Sequence, residues 1–319
     1  MKSQIIPLDA PSDFVGTFLL DGLHPGTQYT YTTNVSHSGT FKTAEASPKH
    51  WSLISTSCIK PFNPYNPLSH GLQIRGLEHL DQYLLANPVD MMLFLGDFIY
   101  IDLPVALGWT PKHYTNAYRQ VYASPRWSPA LRHISFFVLD TRRYRSSESL
   151  EDGPKKTMLG SAQLANLQKW LETEKSWKVV VSSVPFTRNW RGPDAADSWS
   201  GYLWKRDIVL DMMRQTDGVI ILSGDRHEHA TTVFPPPNDK GGKSIIEFST
   251  SPLNQFFEPF DRFHRQIEET DVSVYSHPWG HSKFGKSSFD TATPNHLRVE
   301  YDLIVDGNKV WNYLWDYER

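Results

Sequence analysis

The chain opens on short apolar and aromatic runs broken by turn signals. Residues 14–43 read FVGTFLL, then Asp21-Gly22 and Pro25-Gly26, then TQYTYTTNV, then Ser38-Gly39 and TFKT. That spacing predicts a small β-meander, with Thr and Tyr alternating along Tyr29-Thr30-Tyr31-Thr32 as on a half-exposed strand. The segment is too short for a complete seven-stranded sandwich. From Trp51 the pattern changes to strands alternating with helices. WSLISTS is a strand candidate, and Met91 to Leu95 reads as a buried strand ending in Gly96-Asp97. Between them, Leu72, Leu77, Leu80 and Leu84 recur near helical spacing over 71–85.

The alternation continues along the chain. Residues 113–122 are predicted helical, with Tyr114, Tyr118 and Tyr122 at every fourth position; 136–140 is a strand, 161–174 a helix and 178–184 a strand. A helix over 201–215 and a strand over 219–222 follow, the latter running into Ser223-Gly224-Asp225. This order predicts a mainly parallel central sheet covered by helices. In the tail, 244–248 is a strand, and 297–304 and 309–315 form a hairpin about Asp306-Gly307. Pro235-Pro236-Pro237 and the Gly- and Ser-rich stretch 280–288 are predicted loops.

Composition narrows the class. With 319 residues the chain is long enough to bury a large core without disulfides. Its 35 acidic and 32 basic residues nearly balance, to a net charge of −3, which argues against a nucleic-acid binder. An aromatic share of 13% is too rich for a disordered chain. The single cysteine, Cys58, excludes an intrachain disulfide and a multi-cysteine zinc ribbon. The first residues lack the apolar run of a signal peptide, and no stretch reaches membrane-span length. Asn34-Val-Ser36 is a glycosylation sequon that carries no weight by itself. A monomer in an unassigned compartment is expected.

In a parallel α/β sheet, ligands collect beyond the carboxyl ends of the strands. Three candidates fall there: Cys58 after WSLISTS, Asp97 after MMLFL, and Asp225-Arg226-His227 after VIILS. A glycine before each aspartate lets the backbone turn sharply. Taken alone, Gly-Asp is as often a plain turn, a lone cysteine is more often a buried small hydrophobe, and a histidine more often a satisfied polar contact. Taken together, thiol, carboxylate, imidazole and the phenol of Tyr100 make a metal set. Phenolate and thiolate suit a strongly Lewis-acidic ion, and Asp97 with Asp225 suit a second, harder cation. His227-Glu228-His229 is an alternative set for zinc, weakened because His229 can simply begin a strand.

These residues lie in stretches that resemble one family. STSC at 55–58, LFLGDFIYID at 93–102, YRQVYASPRW at 118–127 and FFVLDTRRYR at 136–145 resemble segments of the PhoD-like alkaline phosphatase/phosphodiesterase family, relatives of purple acid phosphatases among the calcineurin-like metallophosphoesterases. So do MLGSAQLANLQKWL at 158–171, SWSGYLWKRDIVL at 198–210 and ILSGDRHEHATTVF at 221–234, all in family order. The resemblance implies a four-layer αββα domain over 47–319, preceded at 1–46 by a shortened β-sandwich-like segment. It implies Fe(3+) with Ca(2+), Zn(2+) being the alternative, and a small phosphate ester as substrate. Cys58, Asp97, Tyr100 and His227 would be iron-side ligands, with Asp97 bridging to a second cation that Asp225 also binds. The implied reaction is phosphate mono- or diester hydrolysis by a metal-bound hydroxide. Asp97, His227 and Arg226 are its catalytic candidates. Arg142 and Arg143 belong to the LDTRxYR motif; structural pairing is the plainer reading for both, and Arg143 is the candidate for substrate binding.

One departure matters. The family's WDDHE-like segment and its Asn-containing continuation are absent, and no Asp, Glu or Asn stands between Trp127 and Asp140. Impaired second-metal binding and low activity are therefore expected. The main rival is a non-catalytic remnant or phosphate-ligand-binding protein of the same fold. A β-rich sugar- or protein-binding module displaying Trp109, Trp127, Trp190 and Trp279 ranks below both, since aromatics more often fill cores.

Overall fold

The computed structural model describes residues 10, 19–33, 38–60, 73–101, 108–122, 124, 136–190, 195–238, 241–255, 270–279 and 281–319. The chain divides into two compact units, Met1–Pro48 and Lys49–Arg319. In the first, β1 (Gln28–Thr32) and β2 (Ser38–Lys42) pair antiparallel, and Tyr29 stacks on Phe41 across the pair. Most of FVGTFLL and the whole sequon fall outside the described residues.

The second unit runs β3 (His50–Thr56), α1 (Arg75–Ala86), β4 (Met91–Phe94), α2 (Pro111–Tyr122), β5 (Phe136–Leu139) and α3 (Gly160–Thr173). It continues with β6 (Lys178–Ser182), α4 (Leu203–Arg214), β7 (Val219–Ser223), β8 (His229–Phe234) and β9 (Ile245–Thr250). Last come β10 (Val272–His277), β11 (Lys283–Asp290), β12 (His296–Val305) and β13 (Asn308–Glu318). Two sheets form, in the orders β10-β8-β9-β7-β6-β5 and β13-β12-β11-β3-β4. Parallel pairing is confined to β5-β6-β7-β9 and to β3-β4. The single, mainly parallel sheet predicted from the alternation is thus corrected to two mixed sheets. The C-terminal strands connect by short turns, which favour antiparallel neighbours.

Three apolar seams hold the layers together. Val179, Val181, Ile220, Leu222, Ile246 and Phe248 of the six-stranded sheet pack on Leu53, Phe289, Val299, Tyr301 and Leu303 of the five-stranded one. Alternate residues on the same strands, Val180 and Ile221, turn outward to Leu167 and Leu171 of α3 and Val209, Leu210 and Met213 of α4. On the far side, Ile54, Phe284 and Ile304 meet Leu77 and Leu80 of α1 and Val121 of α2. The period-two alternation of the strands therefore produces the αββα order. No helix among the described residues is long and apolar enough to cross a membrane.

The stretch 280–288, expected as a loop, instead contributes most of β11, which pairs with β12 on one side and β3 on the other. Its small residues are a packing requirement. A Cβ on Gly285 would stand 2.0 Å from the Tyr301 hydroxyl, which is itself bonded to Thr250 Oγ1 at 2.5 Å. β10, also unpredicted, extends the other sheet beyond β8, with a register shift between Ser273 and Tyr275.

A buried polar knot ties β9 to the chain after β6. The Glu247 carboxylate accepts from the Phe186 N–H at 2.7 Å, the Thr187 N–H at 3.0 Å and the Ser223 hydroxyl at 2.7 Å. Burial pushes its carboxyl up to about 7, outweighing these donors and the nearby Arg206 guanidinium. Arg206, itself buried, pairs with Asp271 and donates Nε to Phe186 O.

Two outcomes test this packing. Gly285→Val should overpack the sheet interior, lowering stability by about 1–3 kcal/mol, read as a lower urea midpoint. For Glu247, the folded carboxyl holds its proton to about pH 7, whereas the unfolded one releases it near 4.5. Its contribution is therefore greatest below pH 4.5 and declines as pH rises towards 7. Glu247→Gln should flatten that decline, so the midpoint difference between wild type and variant should shift in the variant's favour between pH 5 and pH 8.

Candidate metal centre

The site lies where the carboxyl ends of the two sheets meet. Cys58 follows β3, Asp97 and Tyr100 follow β4, Arg142 follows β5, and Asp225 and His227 follow β7. Main-chain bonds join the segments: Cys58 N–H donates to Gly96 O at 3.1 Å and Ile59 N–H to Asp97 O at 3.0 Å. The two sheets are tied by the Asp225 N–H, which donates to Ser57 Oγ at 3.0 Å, and by the Leu253 N–H, which donates to Ser57 O at 2.7 Å. Gly224 permits that approach, since a Cβ there would stand 2.3 Å from Ser57 Oγ. His227 N–H donates to Ser251 Oγ at 2.7 Å.

The backbone is held in an uncommon conformation at each of these residues. Cys58, Asp97, Asp225 and His227 have φ of 64°, 54°, 81° and 59°, four of the six non-glycine residues with positive φ among the described residues. Such conformations cost about 1 kcal/mol or more each and persist where surrounding contacts over-determine them. Here they occur just beyond the ends of three strands, β3, β4 and β7.

The side chains touch. The Tyr100 hydroxyl donates to Asp97 Oδ2 at 2.8 Å and stands 2.9 Å from His227 Nε2; Cys58 Sγ lies 3.7 Å from Asp97 Oδ2. Among the described residues no three His, Cys, Asp or Glu side chains form an ion site by themselves. The phenol is what links this set. Donors 2.0–2.3 Å from one ion stand roughly 3–3.7 Å apart, and the thiol, carboxylate, phenol and imidazole are spaced on that scale.

The electrostatics also call for a cation. Burial, then Asp97 and Asp225, push the Cys58 thiol well above its ordinary range. Burial, then Cys58 and Asp97, do the same to the Tyr100 phenol. Burial raises the Asp225 carboxyl to about 6 against the pull of Arg142 and Arg226. Acidic groups crowded out of water keep their protons unless a positive charge takes the protons' place. These residues fit a metal ion.

The sequence candidates divide accordingly. Cys58, Asp97, Tyr100 and His227 come together, and Asp225 adjoins them through its carbonyl, 3.8 Å from Cys58 Sγ. Arg226 is buried with its guanidinium 4.0 Å over the Trp190 ring and Nη1 bonded to Asp225 Oδ2 at 3.2 Å, the setting of a structural pin. The Arg143 guanidinium lies over the Tyr144 ring, and its neighbour Arg142 is the arginine that reaches Asp225. The structure does not bring His227, Glu228 and His229 together as one ligand set. His229 is fully buried between the sheets, its ring nitrogens 2.9 Å from Thr250 Oγ1 and 3.0 Å from Thr231 Oγ1. Trp190 is buried as well, and Trp127 is outside the described residues.

Sequence reasoning missed Ser57, Ser251 and Asp197. Asp197 sits in a 3-10 turn (Ala195–Asp197) and is paired with both Arg142 and Arg145. Burial works to raise its carboxyl, but the two arginines hold it below its ordinary value.

Comparison with known proteins agrees with this architecture. The structure superposes on a solved structure of PhoD with a TM-score of 0.63 at 18% identity, covering 93% of this chain and 76% of that one. It superposes on purple acid phosphatase PPD1 from yellow lupin (Lupinus luteus) seeds with a TM-score of 0.54 at 12% identity, covering 92% and 60%. Alkaline phosphatase D of Bacillus subtilis (strain 168) is 30% identical over 115 residues, 29% of this chain and 19% of its own length. The chain thus matches about a fifth of that curated relative. The PhoD-like phosphatase family model matches residues 105–292, more than half of the chain. The chain belongs to the PhoD-like phosphatase family.

Proposed function

We propose that this chain hydrolyses phosphate mono- or diesters in a metal-dependent reaction, at a rate well below that of relatives with the full ligand set. The observation that carries this reading is the contact of thiol, carboxylate, phenol and imidazole at the joined carboxyl ends of β3, β4 and β7. Cys58, Asp97, Tyr100 and His227 would hold the first cation. Two anionic donors of thiolate and phenolate type favour a strongly Lewis-acidic ion such as Fe(3+). A second, harder cation such as Ca(2+) would meet Asp97 and Asp225 but not the carboxylate and carboxamide ligands needed to hold it firmly. A bound cation supplies water acidic enough to attack near neutral pH and positive charge for the phosphate oxygens.

The chain's own residues set the stage for that chemistry. Ser57 holds the Asp225 main chain, Ser251 holds that of His227, and Tyr100 ties Asp97 to His227. The low rate follows from the sequence. No carboxylate or carboxamide stands between Trp127 and Asp140 to complete the second cation's shell, and each 1.4 kcal/mol of lost ligation is about tenfold in affinity.

The purified chain, incubated with iron and calcium, should hydrolyse p-nitrophenyl phosphate or its bis-ester only when metal is present. Turnover should be at least about tenfold below that of the Bacillus subtilis relative. Asp97→Asn and Cys58→Ser should each reduce retained iron, measured by elemental analysis, and abolish turnover. Turnover equal to the relative's would overturn the impairment. A chain that retains no metal and turns over neither ester is the non-catalytic remnant.

A further inference from the structure

Both oxygens of the Asp225 carboxylate are already matched to positive charge from the chain itself. Arg142 Nη2 donates to Oδ1 at 2.8 Å, and Arg226 Nη1 donates to Oδ2 at 3.2 Å. The two guanidiniums differ in placement. Arg226 is sealed against Trp190, with a side chain 6% exposed, whereas the Arg142 side chain is 39% exposed and open to a ligand.

Arg142 is also held in place. Its other terminal nitrogen, Nη1, is bonded to Asp197 Oδ1, which Arg145 binds as well. Its main-chain N–H donates to Asp140 Oδ1 at 3.1 Å, and that same oxygen takes the Arg143 N–H at 2.8 Å, fixing the turn after β5. Each terminal nitrogen of a guanidinium carries two N–H groups. Asp197 and Asp225 therefore leave one on each for an incoming oxygen of a phosphate.

Resting on the metallophosphoesterase reading above, we propose that this centre is built for a single metal ion and that the Arg142 guanidinium takes the second cation's place, binding the phosphate oxygens of substrate and product. Two observations converge on it. The guanidiniums neutralise Asp225, the carboxylate that a second cation beside the Cys58, Asp97, Tyr100 and His227 set would need. The sequence also provides no carboxylate or carboxamide between Trp127 and Asp140. Asp197 and Arg145 are positioning residues, acting through Arg142.

The full chain, dialysed against excess iron and calcium and then freed of loose ions, should retain one metal ion per chain by elemental analysis. Titration calorimetry with inorganic phosphate should show binding to the metal-loaded chain. Arg142→Met should keep that ion and the folded circular-dichroism spectrum but weaken phosphate binding at least tenfold, and raise KM for p-nitrophenyl phosphate by more than it lowers kcat. Arg142→Lys, which keeps the charge and loses the fork, should recover part of the phosphate affinity. Two ions per wild-type chain, or unchanged phosphate affinity in a folded, metal-loaded Arg142→Met chain, would overturn the inference and leave the metallophosphoesterase reading standing. A wild-type chain that retains no ion would overturn both.

Discussion

Crowding of acidic groups away from water is the constraint on which this molecule turns. Cys58, fully buried, and the partly buried Asp97, Tyr100 and Asp225 approach one another at the joined strand ends, where little solvent can separate them. Leaving such groups charged and uncompensated costs several kcal/mol each. The chain answers on one side with Arg142 and Arg226 against Asp225. On the other side the thiol and phenol keep their protons, held by burial and by Asp97. A bound cation would take the place of those protons, and the left-handed backbone at Cys58, Asp97, Asp225 and His227 shows how firmly the frame holds the site together.

That frame depends on the seam between the sheets. β3 and β7 belong to different sheets, yet Ser57 Oγ receives the Asp225 N–H, and Gly224 has no Cβ to push the two apart. The same seam buries Tyr301 against Phe248, with ring centroids 4.1 Å apart, and closes over His229. Sheet packing and site geometry are consequently one property: a change that widened the seam would separate Cys58 from Asp225 before it touched any ligand atom.

Much of this arrangement was legible in the sequence, for physical reasons. Continuous apolar runs such as VIILS and MMLFL are buried strands because both faces of each are covered, and the Gly-Asp that ends each one marks where the chain leaves its sheet. β11 was not legible. KFGKSSFD is a central strand without a β-branched residue, its small side chains dictated by Tyr301, a partner 16 positions further along the chain. His229 shows the same limit: two histidines one residue apart point to opposite fates because a strand begins between them, so His227 faces the cleft and His229 the sheet interior.

The arginines carry the lesson furthest. In FFVLDTRRYR, nothing in composition or spacing ranks Arg142 above Arg143; the turn does. Asp140 Oδ1 gathers both N–H groups, and that fold of the backbone sends one guanidinium towards Asp225 and the other over Tyr144. Asp197, 55 residues later, completes the ion pair from a 3-10 turn that no local pattern marks. The same stretch ends the six-stranded sheet: β5 is its edge strand, and Val138 is 64% exposed there. Among the described residues no strand lies beyond it from which further side chains could reach the site. On that flank the groups seen around Asp225 come from the turn after β5 and from the chain following α3 and β7. They are two guanidiniums and the carboxylate that holds one of them. On the proposal made above, a site so bounded would recognise an anion by arginine on the side where more carboxylates would have recognised a metal.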